Sequence, residues 1–169
     1  MKNLRFYFSV FVMSGFIFLC VFSGVNAQER DTRILEHRTG LPTEMLITAD
    51  QLRGKQIKNE NFVLFDARSH ENYQRSHIPG AILPFPEEYY RQKDLFRQRL
   101  ASAPPDMDAA LAETMRRYPK DTPVVAYCEP GCQASASLIM KIKQLGFRNV
   151  RDMEEGLYGW EKKGYPVSK

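Results

Sequence analysis

The chain has 169 residues, room for one globular domain and a short appendage at roughly 150 residues per domain, but not for two full domains. Hydrophobic residues make up 43% and charged residues 26%, an ordinary globular mixture that excludes collagen-like, long coiled-coil, disordered and multi-span membrane chains. Lys and Arg total 24 against 20 acids, and they alternate with acids without an aromatic-interleaved basic stripe, so no nucleic-acid partner is expected.

Lys2 and Arg5 precede an uncharged, Phe-rich run over residues 6–22, followed by Ser23, Gly24 and Val25-Asn26-Ala27. A positive start, an apolar middle and small residues at the cleavage point form a secretory signal peptide over residues 1–27. The protein is therefore expected to be exported, periplasmic or extracellular. The run approaches bilayer-spanning length, so the alternative is a membrane anchor at residues 6–22, retained with the leader. Cys20 follows Leu19 rather than a small residue, which argues against lipid attachment, and it leaves with the leader. Cys128 and Cys132 then remain, in a compartment where thiols can pair.

Residues 28–44 are charged and weakly periodic and read as a linker or N-terminal arm, with the domain over residues 45–169. A brief strand is expected at residues 45–47. Thr48 with Gln51 three residues later has capping-box form and opens a helix. Phe62-Val63-Leu64-Phe65 is a continuous apolar run, the pattern of a strand buried on both faces, and it ends in Asp66-Ala67-Arg68. Ser69 caps a helix over residues 70–75, which must stop before Ile78-Pro79-Gly80.

Residues 86–120 read as two helices broken by Ala103-Pro104-Pro105. Met107, Leu111, Met115 and Tyr118 recur at helical spacing, the mark of a core stripe. The cations between Tyr89 and Arg99 suit a solvated helix face, with an anion-attracting lid as the alternative. Pro123-Val124-Val125-Ala126-Tyr127 is a second buried strand, followed by the loop Cys128-Glu129-Pro130-Gly131-Cys132-Gln133 and a helix with Leu138, Ile142 and Leu145 on its apolar face. Gly146 ends that helix, and residues 147–153 read as the next strand. Strand, loop, helix, strand at this spacing is a βαβ unit, which requires a parallel sheet, so the fold class is α/β.

In parallel sheets the ligand crevice lies beyond the carboxyl ends of the strands. Cys128 stands at one such end and Asp66 at another. A cysteine just before a helix faces oriented amides and the positive end of the helix dipole, which favour the nucleophilic thiolate. Gly131 lets the loop curl its amides around an anion. Spacing alone leaves open a purely structural or disulfide-bonded cysteine.

The chain resembles the rhodanese-like family of single-domain sulfurtransferases. The marks are Ile47-Thr48-Ala49-Asp50-Gln51-Leu52, Asp66-Ala67-Arg68-Ser69 with Glu71 and Tyr73, and His77-Ile78-Pro79-Gly80-Ala81. They continue with Val124-Val125-Ala126-Tyr127-Cys128 and Gly131, Glu155-Gly156, Trp160 and Gly164-Tyr165-Pro166-Val167. The resemblance implies a five-stranded parallel sheet flanked by helices on both faces. It also implies sulfur transfer through a persulfide on Cys128, from a sulfane-sulfur donor to a thiol or cyanide acceptor, small or protein-borne. No metal or organic cofactor is implied. Glu129, Pro130, Gly131, Cys132 and Gln133, with Arg68, would line the anion site. Asp66 and Arg68 match the family's Asp-x-Arg signature and would brace the loop or pocket, or serve structure alone. His77 matches its turn histidine, with a hydrogen-bonded structural role favoured over catalysis.

Two departures from the family pattern stand out. Many members carry arginine where this chain has Gln133, and a charged hydrogen bond is worth about 1.5–3 kcal/mol. Glu129, at about 6 Å and an effective dielectric of about 20–40, would repel an anionic donor by roughly 1–3 kcal/mol. Weak activity with thiosulfate is expected. If the loop curls, Cys132 could come within disulfide reach of Cys128 and mask it; the alternative is a small residue filling the loop. Other functions remain open: a non-catalytic binding or redox-sensing module using Cys128 and Cys132, or a thiol-disulfide oxidoreductase, although the spacing is Cys-x-x-x-Cys. A phosphatase would need a longer loop ending in arginine.

Overall fold

The computed structural model describes residues 40–169; the expected signal peptide or anchor and residues 28–39 lie outside the described residues. A four-stranded sheet forms from β1 (Val63–Asp66), β2 (Ala81–Ile82), β3 (Val124–Tyr127) and β4 (Val150–Met153). The order is β2-β1-β3-β4 and every pairing is parallel. The helices are α1 (Ala49–Ile57), α2 (His70–Arg75), α3 (Glu87–Arg97), α4 (Met107–Met115), α5 (Ala134–Gln144) and α6 (Gly156–Lys162).

Because strand side chains alternate between faces, the sheet feeds two cores. Val63, Phe65, Val124, Ala126 and Val150 meet Leu111 and Met115 of α4 and Leu138, Ile139 and Ile142 of α5. Leu64, Val125, Tyr127 and Met153 meet Ala49 and Leu52 of α1 and Leu157 and Trp160 of α6. All residues of β1 and β3 are buried, which is why their sequences are continuous rather than alternating. Each large apolar side chain so enclosed contributes about 1.5–3 kcal/mol.

Local signals hold at the helix starts. Thr48 and Gln51 form the reciprocal capping box at α1, and the Ser69 hydroxyl accepts from the Asn72 N–H at α2. Other expectations need correction. Residues 45–47 form no strand: Thr43–Met45 is a 3-10 helix, and the fifth strand is reduced to a single parallel bridge between Leu46 and Asp152. Leu41 and Met45 are buried in the core, so the packed domain begins inside the stretch read as an arm. Strand β4 starts at Val150, and Phe147 ahead of it is a core residue. Met107 is 39% exposed and Tyr118 lies past the end of α4, so only Leu111 and Met115 of that stripe are deeply buried. On α3, Arg91 and Arg97 pair with Glu88 and Asp94 on the exposed side, as a solvated face would.

Candidate functional site

The register of β1 with β3 sets Asp66 beside Tyr127 at the carboxyl ends of the two central strands. The Ala67 N–H continues the ladder by donating to the Tyr127 carbonyl at 2.8 Å. Cys128 therefore leaves the sheet next to Asp66, as expected of a crevice residue, and α5 begins six residues later. Cys128 is only 4% exposed, whereas Cys132 is half-buried.

Beneath the loop lies a polar network that the sequence hinted at but did not specify. The Arg68 guanidinium donates to Asp66 at 3.0 Å from Nε and 2.7 Å from Nη2, and Nη2 also meets the Ser76 carbonyl. The Tyr127 hydroxyl donates to Asp66 at 2.7 Å and accepts the Ile78 N–H at 3.0 Å. Asp66 is fully buried and the Arg68 side chain 4% exposed. Burial works against the Arg68 charge, but the Asp66 carboxylate outweighs it and holds the guanidinium more firmly protonated than usual. Burial, reinforced by the Asp66 charge, pushes the Tyr127 phenol well up.

Arg68 also reaches the loop: Nη1 donates to Glu129 at 2.9 Å. This corrects the expectation of a repulsive Glu129. Its carboxylate is engaged by a cation, so much of the field that would oppose an anionic donor is offset. Arg68 in turn is committed to Asp66, Ser76 and Glu129, the arrangement of a loop brace.

The loop curls around Gly131, whose φ of +79° is the left-handed conformation glycine adopts without a steric cost. The Cys132 N–H donates back to the Glu129 carbonyl at 3.0 Å, and Cys128 and Cys132 are joined by a disulfide with their α-carbons 6.2 Å apart. The Cys132 Sγ accepts the Ala134 N–H of α5 at 3.4 Å. The cradle of amides expected over residues 129–133 is thus narrower than the sequence suggested: Pro130 has no N–H, and that of Cys132 is spent inside the turn. Gln133 is the exposed N-cap residue of α5, and its carbonyl accepts the Ser137 N–H at 2.9 Å.

His77 is elsewhere engaged. Its Nδ1 lies 3.0 Å from the Tyr73 carbonyl, its ring stacks on Tyr73 at 4.1 Å, and its backbone bridges to Ser168. These are structural contacts.

Sequence reasoning missed three neighbours of the loop. Gly156, at φ +63°, opens α6 directly against the Cys128 carbonyl, which accepts the Leu157 N–H at 3.1 Å. Asp152 of β4 is fully buried under α5; burial pushes its carboxyl up to about 6, with the nearby Ser135 hydroxyl offsetting a part of that rise. A cleft of about 160 Å³ lies beside the start of α5, lined by Ala67, Phe85, Tyr89, Lys93, Ala134 and Lys141 among others. Only the glycine had a sequence signal, in Glu155-Gly156. Among the described residues no group of three or more His, Cys, Asp and Glu could hold a metal ion, and no helix is long and apolar enough to cross a membrane.

Comparison with known proteins places these features in context. A family model described as "Rhodanese-like domain" matches residues 48–163. A curated relative, the HTH-type transcriptional regulator Rv0324 of Mycobacterium tuberculosis, is 28% identical over 131 residues; the match covers 77% of this chain but only 47% of that protein. Among solved structures, the BH2092 protein of Bacillus halodurans superposes with a TM-score of 0.56 at 22% identity, covering 85% of this chain and 86% of that one. The rhodanese-like domain of Anabaena sp. Alr3790 gives 0.54 at 18% identity, covering 73% and 78%. Both likenesses are of fold.

Proposed function

The chain belongs to the rhodanese-like domain family, and from that premise we propose that it is a sulfurtransferase that carries sulfane sulfur as a persulfide on Cys128. The observation that supports this most is the position of Cys128, at the carboxyl end of a central parallel strand and just ahead of α5. There the helix amides favour thiolate over thiol.

The reaction starts from the reduced pair. The Cys128 thiolate attacks the outer sulfur of the donor; a sulfur–sulfur bond forms on Cys128, and the rest of the donor leaves with the electron pair. A thiol or cyanide then takes that outer sulfur and regenerates the thiolate, a two-step covalent exchange. Arg68, held by Asp66 and bonded to Glu129, keeps the loop in place. Thiosulfate is a poor donor in this reading, because Gln133 brings no positive charge to the loop; a neutral or protein-borne donor suits it better. The signal-peptide pattern of residues 1–27 supports a location outside the cytoplasm, or at a membrane surface if that segment is retained.

The Cys128–Cys132 disulfide favours a second reading, a redox-sensing or binding module on the same fold. A relative named as a transcriptional regulator is compatible with it. Turnover discriminates the two. Thiocyanate formation from cyanide with thiosulfate, and separately with glutathione persulfide, is measured on reduced protein and on Cys128→Ala. Cys128-dependent turnover, faster with the persulfide, supports the transferase; none with either donor leaves the module.

A further inference from the structure

Cys132 has no part in transfer to an external acceptor, yet the fold holds it against Cys128. The loop closes the pair to 6.2 Å between α-carbons, through the Cys132 N–H to Glu129 carbonyl bond and the left-handed Gly131. The two sulfurs differ in surroundings. Cys128 is 4% exposed, so an external thiol reaches its Sγ poorly. Cys132 is half-buried, and its Sγ already accepts the Ala134 N–H, a contact that stabilises a thiolate there.

We propose that Cys132 is a resolving cysteine, and that in the absence of an external acceptor the protein reduces bound sulfane sulfur to hydrosulfide. The proposal rests on the persulfide reading of Cys128 and adds a second fate for that persulfide. In this step the Cys132 sulfur attacks the Cys128 Sγ, the inner sulfur of the persulfide. The bond between that Sγ and the outer sulfur breaks, and the outer sulfur leaves with the electron pair as hydrosulfide, taking the proton of the Cys132 thiol. The Cys128–Cys132 disulfide forms. One sulfane sulfur has been reduced by two electrons, and two thiols have been oxidised to one disulfide. A dithiol reductant then attacks the more exposed Cys132 sulfur, releases the Cys128 thiolate and is itself oxidised to a disulfide. A thiol held in the same loop acts at an effective concentration on the order of millimolar or above, so it competes well with dilute acceptors. The Cys128–Cys132 bond in the structure has the connectivity that this step produces.

The test follows one turnover. The full chain is reduced, freed of reductant and mixed anaerobically with one equivalent of glutathione persulfide and no acceptor; sulfide is measured, and intact mass recorded. Cys132→Ser and Cys128→Ala are treated alike. Expected of the unaltered chain is about one sulfide per chain and a mass about 2 Da below the reduced protein, with a second sulfide only after dithiothreitol has reduced the pair and been removed and a second equivalent of glutathione persulfide is added. Cys132→Ser is expected to hold about 32 Da of added sulfur and to release sulfide at least about tenfold more slowly. Cys128→Ala sets the background. If the unaltered chain keeps the added sulfur as long as Cys132→Ser does, or if Cys132→Ser releases sulfide as fast, the resolving role is overturned while the persulfide reading stands. If no variant takes up sulfur or yields sulfide above background, the persulfide reading itself falls, and the resolving role with it.

Discussion

Gly156 packs against the backbone of Cys128 so closely that a β-carbon on it would stand 3.1 Å from the Cys128 carbonyl carbon, and nearer still to the carbonyl oxygen. The first turn of α6 and the start of the loop are therefore built around the absence of one methyl group. Gly156→Ala imposes a left-handed conformation on a residue with a β-carbon, at about 1–3 kcal/mol, and must also push Cys128 away from Leu157. The expected outcome is lower stability in urea together with faster alkylation of reduced Cys128. A variant of unchanged stability and alkylation rate would show that the contact is unimportant.

Arg68 joins two carboxylates of unequal burial, and the unequal costs of losing them can be measured. Arg68→Ala leaves Asp66 charged and fully enclosed; removal of one partner of a buried pair costs about 3–5 kcal/mol. Glu129→Gln loses only a partner that is 44% exposed, at about 0–1 kcal/mol. Because Glu129 is already engaged by Arg68, its replacement should raise the rate with thiosulfate only modestly. Urea midpoints and thiosulfate kinetics of the two variants check both statements.

The Asp152 carboxyl, raised by burial to about 6 from an ordinary 3.8, opposes folding when ionised. Well below pH 3.8 it is protonated in both the folded and unfolded chain and costs nothing. As pH climbs through 3.8 the unfolded form ionises first and the penalty grows, and above 6 the full penalty remains, on the order of 1–3 kcal/mol. Asp152→Asn should thus stabilise the protein at pH 7.5 and hardly at pH 2.5. Melting temperatures of both proteins across that range give the answer.

Gln133 caps α5 on the exposed side of the loop. A charged donor there contributes about 1.5–3 kcal/mol to a hydrogen bond, so Gln133→Arg should lower the KM for thiosulfate by about 10–100-fold. The KM for a neutral donor should move far less. Equal changes for both donors would point to a general effect on the loop.

Legibility followed the range of the interaction. Strands β1 and β3 showed in the sequence because burial on both faces leaves an apolar run, interrupted only by Asp66 at the end of β1, and the starts of α1 and α2 showed because a cap is chemistry within four residues. The fifth strand failed because pairing is decided elsewhere: Pro42 and the 3-10 turn leave only Leu46 to meet Asp152. Met107 fits the helical period, yet α4 starts there at the edge of the core. Of the candidate site, the meeting of Cys128, Asp66 and Arg68 at the carboxyl ends of β1 and β3 was legible. The Arg68–Glu129 pair was not, since it joins residues 61 apart through a curl of the loop. Pro130, by contrast, announced in the sequence that it could offer no amide to an anion.

The most direct measurement is the intact mass of reduced, full-chain Cys132→Ser before and after glutathione persulfide, with and without subsequent cyanide. This variant removes the internal thiol that would otherwise discharge the persulfide. A gain of about 32 Da located on Cys128 and lost to cyanide as thiocyanate is the outcome of a persulfide-carrying transferase. A Cys128 that alkylates freely but gains no sulfur would contradict it.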